Sequence, residues 1–319
     1  MVVKVKKILI FLIGIVLIAL CVLNVDKISD MAVKLFDNTP RPIILAGNDY
    51  TKDKGYKYIN ISKDYVPYSY QDLLDIMFSV VNNGWEEFTF YCPTEYTTCL
   101  KDIEKICDDS TLLTHINNYV HPYNNFTSLK SSISESGEVN LTISYLYTKE
   151  EIDYINNEVD KIIKQNVKDD MNDFEKLKSI HDYIINNTKY DVERNESGNS
   201  KSNSYKATGL LKDHLATCNG YSDTMAIILS KMGYDNYKIA TTPEEISYSE
   251  TGHVWNAVYI NNEWRHLDLT WDDPVSSDGN DYLYHKYFLV TNDEMAEADK
   301  GDVVLEEHNF NKLIYLEFK

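Results

Sequence analysis

Two short apolar runs separated by one tight turn constrain this chain more than any other feature of its sequence. Gly252-His253-Val254-Trp255-Asn256-Ala257-Val258-Tyr259-Ile260 and Trp264-Arg265-His266-Leu267-Asp268-Leu269-Thr270-Trp271 are rich in β-branched and aromatic residues, and Asn261-Asn262-Glu263 between them is turn-forming. The spacing predicts two strands paired as a hairpin. With the turn centred on Asn261 and Asn262, Asp268 falls opposite Trp255, one same-face step from His253. An aspartate in an otherwise apolar strand is costly to bury alone. His253, at the beginning of its strand and near the sheet edge, is the natural partner.

A nucleophile is found upstream. In Thr217-Cys218-Asn219-Gly220-Tyr221 the residues after Cys218 open an apolar stripe at helical spacing, Tyr221, Met225, Ile228, Leu229 and Met232, with Gly233 placed to end the helix. Cys218 is thus expected at a helix N-terminus, where unpaired N–H groups and the positive end of the dipole favour an anionic sulfur and can hold an oxyanion. A lone cysteine is more commonly a buried structural residue, so the nucleophile reading depends on the base and acid found in the hairpin. A thiolate paired with imidazolium, and an imidazole held by a carboxylate, is the cysteine form of the nucleophile, base and orienter arrangement.

In order and spacing, Cys-x-Gly-Tyr opening a helix, Gly-His-x-Trp-Asn-x-Val on a strand and Trp-x-x-x-Asp-x-Thr-Trp-Asp-Asp-Pro on the next resemble the transglutaminase-like core of bacterial proteins, from about residue 170 to 308. The resemblance implies an α+β, papain-like core in which a nucleophile helix packs on an antiparallel sheet. It assigns Cys218 as nucleophile, His253 as general base and acid, and Asp268 as orienting acid, and gives Asp272, Asp273 and Pro274 the shaping of a turn. His266, in phase with Asp268, is the runner-up base. His214 reads as a loop histidine, His181 as a hydrogen-bonded core histidine on a helix, and His115 and His121 as turn or surface residues.

Such a triad attacks a carboxamide or peptide carbonyl, forms a thioester, and passes the acyl group to an amine or to water. The expected activity is that of a transglutaminase-type transferase or amidase acting on protein or cell-wall peptide. A cysteine peptidase is the alternative within enzymes, and an inactive binding module, disfavoured by the presence of Cys218, the alternative outside them. No calcium loop of the D-x-[DN]-x-[DN]-G type and no C-x-x-C pair is present, so neither metal nor cofactor is expected. Trp255 and Trp271 are expected either beside the cleft or packing the hairpin against the nucleophile helix.

The remaining sequence sets the context. Lys4, Lys6 and Lys7 precede an apolar run from Ile8 to Leu23, extended by Asn24 and Val25. This predicts one uncleaved membrane-spanning helix with the N-terminus inside and the rest of the chain extracytoplasmic. Residues 1–25 form the cytoplasmic N-terminus and anchor, 26–49 a linker with Pro40 and Pro42, 50–148 a small α/β domain of alternating strand and helix signals, and 149–319 the catalytic domain. A net charge of −19 argues against nucleic acid as a partner. Cys92, Cys99 and Cys107 are close enough in sequence for one disulfide outside the cell, with the pairing left open.

Overall fold

The computed structural model describes residues 44–45, 59–60 and 65–318, apart from 135, 194–202, 242–251, 277–279, 281 and 301–306. The lysine-flanked apolar run and its expected membrane span lie outside the described residues. Among the described residues, no helix is long and apolar enough to cross a membrane. Within the stretch read as linker, Ile44–Leu45 pairs antiparallel with Ile59–Asn60.

The first folded segment comprises α1 (Tyr70–Asn82), β1 (Glu87–Tyr91), α2 (Cys99–Asp108), α3 (Ser110–Asn118), β2 (Phe126–Ile133) and β3 (Glu138–Tyr145). Ser69 caps α1 by accepting from the Asp72 amide, and the helix buries an almost continuous run from Leu73 to Val81. The sequence suggests one helix over Tyr96 to Cys107. The structure has that helix as α2 and adds α3 beyond it, where Asp109 leaves helical geometry (φ −87°, ψ 92°) and its carboxylate caps the Leu112 N–H at 2.9 Å. Gly137, at φ 87°, makes the turn between β2 and β3.

The sheet runs β1-β3-β2 and is antiparallel throughout. That corrects the expected α/β organisation of residues 50–148 to α+β: β2 and β3 are joined too tightly to run parallel, and β1 adds antiparallel at the far edge. A disulfide joins Cys92 to Cys99, with Cα atoms 5.8 Å apart, tying the strand exit to the start of α2; Cys107 is free.

The second segment opens with α4 (Lys149–Asn166) and α5 (Asp173–Asn186). Both begin with reciprocal caps, Thr148 with Glu151 and Asn172 with Glu175. Short parallel strands β4 (Lys189–Tyr190) and β5 (Leu215–Ala216) lead into α6 (Cys218–Lys231). Then follow β6 (Asn236–Thr241), β7 (His253–Ile260), β8 (Glu263–Leu267), the single turn α7 (Leu269–Asp272), β9 (Phe288–Val290) and α8 (Asn292–Asp299). These four strands form an antiparallel sheet in the order β9-β8-β7-β6.

Alternation along β7 separates two cores. Val258 and Ile260 face a cluster containing Tyr221, Met225 and Ile228 of α6 together with Leu177 and Ile180 of α5. Trp255 and Ala257 face the other way, into a cluster shared with Phe78, Ile116 and Tyr119 of the first segment and Phe310, Tyr315 and Phe318 of the C-terminal tail. The rings of Tyr119 and Tyr237 lie 5.3 Å apart and those of Tyr237 and Tyr315 stack at 6.0 Å. The first segment and the tail therefore back the sheet on the face opposite the nucleophile helix, where each large apolar side chain contributes about 1.5–3 kcal/mol by burial.

Candidate active site

The site forms where three chain ends meet: the start of α6, the start of β7 and the end of β8. Cys218 is the first residue of α6 and is half-buried. Thr217 before it is held by its own N–H on the Ser204 carbonyl (2.9 Å), and its side chain does not cap the helix. The first-turn N–H groups are thus left without the side-chain acceptor that Asn172 supplies to α5. Gly220 permits this arrangement, since a Cβ there would stand 2.2 Å from the Ser204 carbonyl oxygen.

The hairpin register places the other two groups. Leu267 pairs with Asn256 and His266 with Ala257, the register that the turn predicts. The second strand is shorter than expected, however. It ends at Leu267, and Asp268 is the N-cap of α7, its Oδ1 accepting from the N–H of Thr270 (2.9 Å) and of Trp271 (3.3 Å). Turning the chain there frees Oδ2 to accept from His253 Nε2 at 2.6 Å. The Cys218 thiol stands close enough to the His253 ring to be among the groups that raise its pKa. With Nε2 committed to Asp268, Nδ1 is the nitrogen left to face sulfur.

Burial works against a charged His253, but the Asp268 carboxylate and the Cys218 thiol outweigh it and hold its pKa well above the usual histidine value. Burial likewise opposes the Asp268 charge, and His253 and His308 overcome it, keeping this carboxyl well below the usual carboxylate range. The pair is a buried ion pair with its remaining lone pairs satisfied by backbone N–H groups.

Other motif residues brace these three. The Asn256 side-chain amide donates to the Ser222 carbonyl at 2.9 Å, joining β7 to the first turns of α6. The Tyr221 hydroxyl donates to Asp273, and Asp272 accepts from His181 Nε2 (3.1 Å) and from the Tyr287 N–H (3.0 Å). Asp272 and Asp273 therefore fix the turn after the hairpin, and His181 is buried and hydrogen-bonded in the core. Trp255 is buried with its ring stacked 5.6 Å from that of His253, while its indole N–H donates to His266 Nδ1 at 3.0 Å. Trp271 is half-buried and donates to Glu307 Oε2 at 3.1 Å, so it borders the site.

The runner-up base does not meet the nucleophile. His266 takes the Trp255 N–H on one nitrogen, faces Asn292 Oδ1 with the other (2.8 Å) and stacks on Phe318; burial pushes its pKa down to about 3. His214 is exposed and bonded to the Asn187 carbonyl. His115 is buried against the Tyr315 hydroxyl rather than at a turn or the surface, with its pKa lowered to about 4 by burial.

Sequence reasoning missed two groups here. His308 Nε2 also reaches Asp268 Oδ2, at 3.0 Å, and Glu307 Oε2 lies 3.9 Å from His253 Nδ1. Both come from the C-terminal tail, and nothing local in that segment marks them as partners of the hairpin. Among the described residues, two clusters bring together groups of the kind that can hold a metal ion, His253 with Asp268 and His308, and His181 with Asp182 and His285. In each, the imidazole nitrogens lie 2.6–3.0 Å from a shared carboxylate oxygen, which is hydrogen-bond geometry.

A helix-borne thiol, a strand-borne imidazole and a capping carboxylate thus meet on a mixed α+β scaffold. Residues 160–269, which include all three groups, match the Transglutaminase-like superfamily, so this part of the chain carries a transglutaminase-like core. Members of that superfamily are usually cysteine enzymes. Kyphoscoliosis peptidase of Mus musculus is 20% identical over 151 residues and that of Homo sapiens 21% over 152, in each case covering 44% of this chain and 22% of the relative. The chain thus aligns with about a fifth of the length of these relatives. A crystal structure of a TGase matches with a TM-score of 0.33 and 17% identity, over 49% of this chain and 48% of that one.

Proposed function

We propose that this protein is a cysteine acyl-transfer enzyme, a transglutaminase-type transferase or amidase acting on amides of protein or cell-wall peptide, with Cys218, His253 and Asp268 as its triad. The observation that carries this reading is His253 set between two partners, its Nε2 2.6 Å from Asp268 Oδ2 and the Cys218 thiol near enough to raise the pKa of the ring. In the proposed reaction the Cys218 sulfur attacks the amide carbonyl carbon, and the carbonyl oxygen becomes an oxyanion at the uncapped N-terminus of α6. As the carbon–nitrogen bond breaks, the His253 imidazolium gives its proton to the departing amine and a thioester is left on Cys218. His253 then takes a proton from the incoming amine or water, which attacks the thioester and restores the thiolate. Asp268 stays ionised throughout, orienting the ring and stabilising its charged form.

The extracytoplasmic, membrane-anchored location is part of the same proposal. It is supported by the apolar run Ile8 to Leu23 behind three lysines and by the Cys92–Cys99 disulfide, a bond favoured in oxidising compartments. Incubating the full chain with glutamine-containing peptides or cell-wall fragments, with and without a labelled primary amine, tests the chemistry by product mass. Cys218-dependent amine incorporation indicates a transferase, and deamidation or cleavage unaffected by amine indicates an amidase or peptidase. Binding of the same material without any product or trapped thioester would replace the enzyme by a binding module.

A further inference from the structure

Asp268 serves two histidines. His308 is buried, its Nε2 lies 3.0 Å from Asp268 Oδ2, and its Nδ1 lies 2.9 Å from Asp299 Oδ1. Asp299, at the end of α8, also accepts from the Tyr287 hydroxyl at 3.0 Å. The proton inventory of this chain of contacts is restrictive. Asp268 Oδ2 is already an acceptor for His253, and Asp299 Oδ1 is already an acceptor for Tyr287, so both ring nitrogens of His308 meet oxygens that take protons rather than give them. The species that satisfies both is the doubly protonated imidazolium. Deprotonating either nitrogen would set a bare lone pair against a carboxylate oxygen in a buried site.

We propose that His308, clamped between Asp268 and Asp299, is a positioning residue of the candidate triad, fixing the Asp268 carboxylate for His253 and setting a permanent positive charge beside it. The inference rests on the acyl-transfer reading above. Two consequences follow from the geometry. With Oδ1 taken by the amides of Thr270 and Trp271 and Oδ2 by two imidazoles, Asp268 has no rotational freedom left. And because the rings of His253 and His308 are 5.6 Å apart, each positive charge opposes the other. His308 therefore offsets part of the hold that Asp268 has on the His253 proton, which keeps that proton available to a departing amine.

Burial by itself opposes a charged His308, and its two carboxylate partners raise its pKa nonetheless. The groups facing it are Asp268, Asp299, Tyr287 and His253, with His266 beyond Trp255 held neutral by burial. His253 in addition faces Cys218 and Glu307. Glu307 supports a positive charge on His253 and is left intact in the variants below.

The test is the pH dependence of Cys218 alkylation by iodoacetamide in the full chain, read for that residue by peptide mass, which needs no substrate. Wild type should show two steps, formation of the thiolate–imidazolium pair and, at higher pH, loss of the His253 proton; His253→Ala should lack the upper step. His308→Gln keeps a donor to Asp268 without the charge. Asp299→Asn keeps the packing and removes the counter-ion that holds His308 charged. Both should move the upper step to higher pH by about one unit, because a positive neighbour of His253 is lost. Variants with a lowered melting temperature but an unmoved upper step would reduce His308 to a packing role and overturn the inference while leaving the triad standing. A wild-type profile without any His253-dependent step would remove the triad and this inference together.

Discussion

Asn256 and Ser222 are joined by a 2.9 Å hydrogen bond from the Asn256 amide to the Ser222 carbonyl, three residues along β7 from His253 and four along α6 from Cys218. The bond crosses the seam between strand and helix, so the two reactive groups ride on elements fastened to each other rather than on separately mobile loops. Asn256→Ala would leave the Ser222 carbonyl without this donor in a buried setting, at a cost of about 1–3 kcal/mol. The expected outcome is a lower melting temperature together with slower Cys218 alkylation, measured on the same samples. Unchanged alkylation in a destabilised variant would show that the seam supports the fold and not the site.

Gly220 makes a second, steric prediction. A methyl group at this position would stand 2.2 Å from the Ser204 carbonyl oxygen, a backbone atom that also anchors Thr217. Gly220→Ala should destabilise the chain by about 1–3 kcal/mol, the usual range for overpacking. It should also displace the start of α6, so chemical denaturation and product formation should both suffer.

Asp268→Asn keeps the shape of the cap on α7 but removes the charge on which His253 depends. Turnover should fall by about 10³–10⁴-fold, as for loss of the orienting carboxylate in related triads. Asp268→Ala should add a stability loss of about 3–5 kcal/mol, since two imidazoles would then be buried without their shared acceptor. A measured rate for Asp268→Asn within tenfold of wild type would remove Asp268 from the proposed mechanism.

The ion pair also predicts how stability varies with pH. Asp268 has a folded pKa below its unfolded value of about 3.9, so its contribution is present above that pH and is lost as pH falls towards the folded value. His253 has a folded pKa well above its unfolded value of about 6.5, so its contribution is complete below that pH and is lost as pH rises through the folded value. The pair should therefore contribute most between about pH 4 and 6.5. Urea denaturation of wild type and Asp268→Asn from well below to well above that window should give curves that differ most inside it and converge towards both extremes.

Much of the site was legible because its elements are specified locally. The turn at Asn261-Asn262 adopts positive φ at both residues, 53° and 65°, so turn chemistry fixed the register, and the register brought Asp268 to His253. The end of β8 was misplaced because Leu269-Thr270-Trp271 is as apolar as a strand, whereas the Asp268 side chain captures the next two amides and turns the chain. Strand β6 passed unrecognised for a different reason. All six of its residues are buried, and three of them are polar: Lys238 pairs with buried Asp223 at 2.6 Å, Asn236 donates to Ser230 and Thr241 donates to the Glu307 carbonyl. Polar residues satisfied by distant partners erase the alternation by which strands are read. His308 is the same case at the site itself, since its meaning lies in Asp268 and Asp299, which only the folded chain brings to it.

The central claim is that Cys218 is a nucleophile activated by His253, and the protein contains its own reference thiol. Cys107 is also free and likewise half-buried, and burial pushes its pKa above the usual thiol value. The decisive measurement is the rate of iodoacetamide alkylation at Cys218 and Cys107 in the same folded sample at pH 7, for wild type and His253→Ala, resolved by peptide mass. Cys218 should react at least tenfold faster than Cys107 in wild type, and that advantage should collapse in His253→Ala. Equal rates at the two thiols, or a Cys218 rate indifferent to His253, would contradict the assignment.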